Sequence, residues 1–159
     1  MPRRMLRLGF TIAAVIVLLD QLTKWLVLAQ VMDPPRTIEV LPFFNLVVVW
    51  NRGVSFGMFG GGVVPPWVFI VLSTAIAAVL AFWLWRAETR LAAVSIGLVI
   101  GGAIGNVIDR AVFGAVFDFL DVHVAGYHWP AFNLADSAIS IGVVLLLAES
   151  LFPRQVPAK

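Results

Sequence analysis

Four runs of this chain are so long and apolar that a bilayer suits them better than water does. They cover about residues 8–31, 66–85, 91–108 and 133–152, and a helix needs about 20 apolar residues to cross a membrane. Of the 159 residues 61% are hydrophobic and 13% charged, far more apolar surface than one small soluble core can bury. The expected fold is an all-α membrane protein: four transmembrane helices with a small extracytoplasmic β-hairpin or sheet element. A single domain is expected over 1–159, with outer loops at 32–65 and 109–132. The first run follows Arg3, Arg4 and Arg7 and contains Val27-Leu28-Ala29, features that a cleaved secretion signal would share. Asp20 and Lys24 interrupt it and it is long for such a signal, so it is read as a retained helix.

Basic residues set the expected orientation. Arg3, Arg4, Arg7, Arg86, Arg90, Arg154 and Lys159 fall on one side of four alternating helices, and Arg36, Arg52 and Arg110 on the other. Both termini are therefore expected in the cytoplasm. The chain has no cysteine, which excludes disulfides, thiolate metal sites and a Cys nucleophile. Its net charge of +2 is small and its basic residues are scattered, which argues against nucleic acid as a partner. Neither a metal nor a cofactor is expected.

Polar residues inside or beside the apolar runs are the candidates for function, because burying them in lipid is costly. Asp20 and Lys24 stand four apart on one helical face, and the spacing favours a structural ion pair over a direct catalytic role. Asn45 to Trp50 reads as a strand, Asn51-Arg52-Gly53 as a turn and Val54-Ser55-Phe56 as a returning strand. On spacing alone Asn51 and Gly53 fit turn residues chosen for positive φ. The second run, with no charge between Pro66 and Trp85, reads as lipid-facing scaffold. In the third, Gly97, Gly101 and Gly105 give a smooth face for close helix approach. Asn106, Asp109 and Arg110 follow, either as an amide and an ion pair capping the helix end or as donors aimed at a backbone or a carboxylate.

Val116 to Val124 alternates with period two, which puts Asp118 on an apolar face and Asp121 on the opposite, more polar one. A carboxyl on the apolar side resists ionisation, so Asp118 is the better candidate of the two. Asn133 and Asp136 resemble a helix-start pair, yet the polar face continues through Ser137 and Ser140, which capping alone does not explain. A proton-relay transporter using Asp20, Lys24, Asp109 and Asp136 is a rival reading. It lacks an ionisable residue in the second run. An assembly factor docking through the glycine face is another, and leaves Asp118 and Asp136 without a purpose.

Five segments together resemble the bacterial lipoprotein signal peptidases, or signal peptidase II. They are Asp20-Gln21-Leu22-Thr23-Lys24, Asn51 to Gly57, Gly102 to Arg110, Val116-Phe117-Asp118-Phe119 and Phe132 to Ser137. Their order and spacing cover nearly the whole chain. The resemblance implies an aspartic endopeptidase of the bacterial cytoplasmic membrane, acting near its outer face. Such an enzyme cuts prolipoproteins just before a diacylglyceryl-modified cysteine. It implies Asp118 and Asp136 as the catalytic acids. Asn51, Gly53, Asn106, Arg110, Asn133, Asp20 and Lys24 are implied as substrate-binding or supporting residues. Ser55 stands where many members carry Ala, and Asp121 has no counterpart in the motif. The expected partners are prolipoproteins with a lipidated cysteine and membrane lipid, with the enzyme itself a monomer.

Overall fold

A computed structural model describes residues 2–53 and 64–151. Helix α1 (Pro2–Leu26) ends in a wider π turn, Val27–Val31, and is followed by strands β1 (Ile38–Leu41) and β2 (Phe44–Asn51). Helices α2 (Pro66–Trp85) and α3 (Arg90–Phe113), strands β3 (Val116–Val124) and β4 (Tyr127–His128), and helix α4 (Leu134–Leu151) complete the order. All four helices are long and apolar enough to cross a membrane. In lipid each must satisfy its own backbone, which the helical ladder does.

Helix α1 starts before the first apolar run, and α3 continues past the end of the third to Phe113. The last two turns of α3 carry Asn106, Asp109 and Arg110, which find partners inside the protein and so need not leave the helix. Thr89 caps the start of α3 by accepting from Ala92 N at 3.0 Å, and Gly114 stops it in the left-handed region at φ 71°.

Helix α3 lies at the centre, with α1 against one side and α4 against another. The glycine stripe makes the first contact. A Cβ at Gly97 would stand 2.4 Å from Gly9 O, and one at Gly101 2.7 Å from Ala13 O. Gly102 meets α4 in the same way, 2.4 Å from Ala135 O. The face that might have docked another protein is thus filled by α1 of the same chain. Helix α2 is peripheral. It buries Phe69, Ala77 and Leu84 and exposes Trp67, Val71, Val79, Trp83 and Trp85.

The four strands form one antiparallel sheet in the order β1-β2-β3-β4. Of the hairpin expected of 45–50 and 54–56, the first strand lies within β2. The partners of β2 are β1 and β3, while residues 54–63 lie outside the described ones. The β3–β4 turn, Ala125-Gly126, has both residues at positive φ (51° and 80°), as a tight hairpin needs. The sequence reading had not marked it. Asn51 is the last residue of β2 and is not left-handed, so positive φ does not explain it.

Between Leu46 and Val49 the β2–β3 register shifts. Leu46 pairs with Leu120 and Val49 with Asp118, so Val47 and Val48 oppose the single residue Phe119. This bulge decides which residues face the site. Asn45 and Asn51 are six apart, an even number that would put both on one face of a regular strand. One extra residue turns Asn51 to the face of Asp118 and leaves Asn45 on the face of Asp121.

Candidate active site

Where the ends of α1 and α3 meet the start of α4 under the sheet, the polar residues singled out by the sequence converge. Asp118, on β3, is 1% exposed. Its Oδ1 accepts from Asn133 Nδ2 at 2.7 Å and its Oδ2 from Asn51 Nδ2 at 3.0 Å. Asn51 is held in turn by Gly53, whose N–H donates to Asn51 Oδ1 at 3.0 Å. That short loop points the amide NH₂ at the carboxylate. Burial, and after it the charge of Asp136, pushes the Asp118 carboxyl up to about 7 against the pull of Asn51 and Asn133.

Asp136, in the first turn of α4, is partly exposed. It forms a reciprocal cap with Asn133: Asp136 N donates to Asn133 Oδ1 at 2.9 Å, and Asn133 N donates to Asp136 Oδ2 at 3.2 Å. Its Oδ1 also accepts from Asn106 Nδ2 at 2.8 Å. Asn133 is fully buried, and its Nδ2 also lies 3.2 Å from Asn106 Oδ1 and 3.3 Å from Phe117 O. One asparagine therefore touches both acids. The bridge between Leu120 and Phe132 brings it there, with Phe132 O accepting from Leu120 N at 2.9 Å. A cavity of 310 Å³ opens beside Asp136, lined by Trp129, Phe132, Ser137, Ser140 and Ile141 among others.

Asp109 and Arg110 do not pair with each other. Successive residues on a helix point about 100° apart, and these two serve different neighbours. Asp109 is 1% exposed and its Oδ2 lies 2.7 Å from Lys24 Nζ. Arg110 donates to Gly53 O at 3.0 Å and stacks its guanidinium 5.3 Å from the centre of the Phe69 ring. It thus ties the turn after β2 to α3. Lys24 also pairs with Asp20 at 2.9 Å, as the spacing had suggested, and donates to Asn106 Oδ1 at 3.2 Å. Sequence reasoning missed Gln21, which donates to Asp109 Oδ1 at 2.9 Å. An amide inside an apolar run, three residues before Lys24, was the available signal.

Asp121 faces away from this centre. It was expected toward water but is 6% exposed, because Asn45 Nδ2 donates to its Oδ2 at 2.9 Å and His128 Nδ1 lies 2.9 Å from both carboxylate oxygens. Burial alone would raise its pKa, yet these hydrogen bonds outweigh it and hold the carboxyl below the usual value. Among the described residues no group of three or more His, Asp or Glu side chains is arranged to hold a metal ion.

Four membrane-length helices gathered around buried acids, beneath a small sheet, define a polytopic membrane protein with an acidic centre at one end of its bundle. The family model described as signal peptidase (SPase) II matches residues 12–152. A lipoprotein signal peptidase of Methylobacterium sp. (strain 4-46) is 45% identical over 151 residues, covering 94% of this chain and 92% of the relative. One from Paraburkholderia phymatum is 46% identical over 144 residues, covering 88% and 85%. A solved structure described as a bacterial membrane enzyme, determined by the in meso method, superposes with a TM-score of 0.78 at 32% identity, covering 95% of this chain and 94% of that one. The chain belongs to the signal peptidase II family. It is a protease and a multi-pass protein of the inner membrane.

Proposed function

We propose that the chain is an aspartic endopeptidase that removes signal peptides from prolipoproteins, cutting before the diacylglyceryl-modified cysteine. The names of its relatives support the substrate class. The observation that carries the mechanism is the joining of Asp118 and Asp136 through Asn133. Two carboxyls that sense each other share one proton, and their titration belongs to the pair.

The pKa of about 7 favours Asp118 as the member that holds the proton. Asp136 sits at a helix start, where free N–H groups and the helix dipole favour a negative charge. Asp136 then takes a proton from water as the water oxygen attacks the scissile carbonyl carbon. Asp118 gives its proton to the carbonyl oxygen, producing a neutral gem-diol. In the second step Asp118 recovers a proton from one hydroxyl while Asp136 protonates the leaving nitrogen. The C–N bond breaks to an acid and an amine with no covalent enzyme intermediate.

Both termini are assigned to the cytoplasm and the sheet to the outer side, by the positive-inside rule. Asp118 and Asp136 then lie where a substrate anchored by its signal helix and lipid chains presents its cleavage site. The Asn51-Arg52-Gly53 turn beside Asp118 is placed to order the extended peptide, and the cavity at Asp136 to receive its apolar groups. The whole chain acts as one peptidase domain. The test is cleavage of a lipidated precursor by purified Asp118→Asn and Asp136→Asn, measured separately. Both are expected to fold and to be inactive; cleavage by either one sinks the dyad.

A further inference from the structure

Three buried charges lie behind the acids: Asp20, Lys24 and Asp109 are 0%, 5% and 1% exposed. Lys24 Nζ lies between the two carboxylates, at 2.9 Å from Asp20 Oδ2 and 2.7 Å from Asp109 Oδ2. Each of these carboxylates also accepts one backbone N–H from another element. Asp20 Oδ1 accepts from Ala135 N at 3.0 Å, and Asp109 Oδ2 accepts from Phe117 N at 3.1 Å. Ala135 immediately precedes Asp136, and Phe117 immediately precedes Asp118.

We propose that Asp20, Lys24 and Asp109 form a caliper that sets the separation of Asp118 and Asp136, with Asp109 as a positioning residue for the hydrolysis. The proposal rests on the reading of Asp118 and Asp136 as the catalytic acids. Lys24 is the pivot, and the two carboxylates are arms that grip the backbone one residue before each acid. Gln21 Nε2 braces the arms a second time, 3.2 Å from Asp20 Oδ2 and 2.9 Å from Asp109 Oδ1. Space for the Asp20 arm depends on Gly105, where a Cβ would stand 2.6 Å from Asp20 Oδ2. Lys24 also fixes the amide of Asn106 by donating to its Oδ1, which leaves Nδ2 to donate to Asp136.

Holding α1 to α3 does not require these charges, since the glycine stripe already interlocks the helices. A buried ion pair is in any case weak evidence for stability compared with apolar packing. What the charges add is a fixed length between two backbone points. The N–H of Ala135, in the first turn of α4, has no partner within its own helix and is free to take such an anchor.

Asp109→Glu and Asp20→Glu keep every charge and lengthen one arm by a methylene. With a lipidated precursor, each purified variant is expected to lose kcat by ~10- to 100-fold, the effect of an ångström-scale misplacement. KM should stay within about twofold, since the arms do not touch substrate. The two limbs of the kcat pH profile should move toward each other, because mutual repulsion of the acids weakens as they separate. Lys24 and Arg110 are unchanged in these variants, so their field does not produce the shift. If thermal unfolding shows that neither Glu variant folds, Asp109→Asn decides: it keeps the volume and an acceptor for Phe117, gives up the charge facing Lys24, and is expected to lose kcat likewise. Wild-type kcat in a folded variant overturns the caliper, as does lost kcat with unmoved limbs. Inactive Asp118→Asn and Asp136→Asn beside unaffected Glu variants reject the caliper alone, whereas an active Asp118→Asn rejects the dyad itself.

Discussion

Asn133 Nδ2 lies 2.7 Å from Asp118 Oδ1, while the same residue exchanges two hydrogen bonds with Asp136 across the first turn of α4. Helix cap and acid-to-acid link are thus one side chain. The sequence suggested two competing explanations for Asn133 and Asp136, a helix start or a site. The hydrogen bonds of Asn133 fit both at once.

These two duties of Asn133 separate by mutation. Asn133→Asp keeps an oxygen to cap Asp136 N but gives up the donor to Asp118 and adds a charge beside the pair. Asn133→Ala loses both. Cap loss costs about 1 kcal/mol, so Asn133→Ala should unfold at lower temperature than Asn133→Asp in detergent. Cleavage should nevertheless fall about 100-fold or more in both, a misplacement effect on the acids. Activity that follows the melting temperature across the two variants would count against the link.

The pH dependence follows from Asp118. Its carboxyl is raised by burial first and by Asp136 second, to about 7. A raised acid stabilises the fold in its protonated form. That contribution is fully present below the unfolded value of about 3.9 and is lost as pH rises through about 7. The same deprotonation removes the proton that the proposed mechanism takes from Asp118, so kcat/KM should fall above pH 7. Asn51 pulls the other way by hydrogen-bonding the carboxylate. Asn51→Ala should lower cleavage and move the alkaline limb to higher pH, read from the full pH–rate profile. A limb that stays put or moves down refutes the role given to that hydrogen bond.

Much of this was legible in sequence for a simple reason. Hydrocarbon tolerates few polar residues, so the exceptions within apolar runs, Asp20, Lys24, Asn106 and Asp136, stand out without any knowledge of where the helices lie. The transmembrane helices follow from the length of the apolar runs, and the face of Asp118 from a period of 2. What stayed hidden was relational. Asp109 looks like the partner of its neighbour Arg110, and only helix geometry sends one to Lys24 and the other to Gly53 O. The bulge at Val47 and Val48 leaves no mark in a run of valines, yet it sets which asparagine meets which acid. Asp121 looked water-facing because its partners, Asn45 and His128, come from other strands.

Asp121 provides the contrasting test. Its hydrogen bonds lie on the far face of the sheet, and its carboxyl is held below the usual value. A depressed acid stabilises the fold above its unfolded value of about 3.9, and that contribution is lost as pH falls through the folded one. His128 is 54% exposed at its side chain, so the ion pair itself is worth no more than about 1 kcal/mol. Asp121→Asn should therefore lower thermal stability slightly near neutral pH and leave kcat within about twofold of wild type, because it does not touch the centre. A tenfold loss of kcat would mean that the sheet transmits strain from this face to Asp118.

Two glycines at the α3–α4 contact permit a sharper test of how packing governs chemistry. A Cβ at Gly102 would stand 2.4 Å from Ala135 O, and one at Gly142 2.7 Å from Ser95 O. Both meet backbone, which cannot swing aside, so either alanine should push the helices apart and destabilise the protein by about 1–3 kcal/mol. Their positions differ along α4. Ala135 is next to Asp136, whereas Gly142 is seven residues further on, about 10 Å along the helix. Gly102→Ala displaces the backbone that carries Asp136 relative to β3, while Gly142→Ala pries the helices apart at a distance from it. Matched for stability by denaturation in detergent, Gly102→Ala should lose ~10-fold or more in kcat and Gly142→Ala much less. Equal losses in the two variants would mean that helix packing supports activity only by keeping the protein folded, without governing the placement of Asp136.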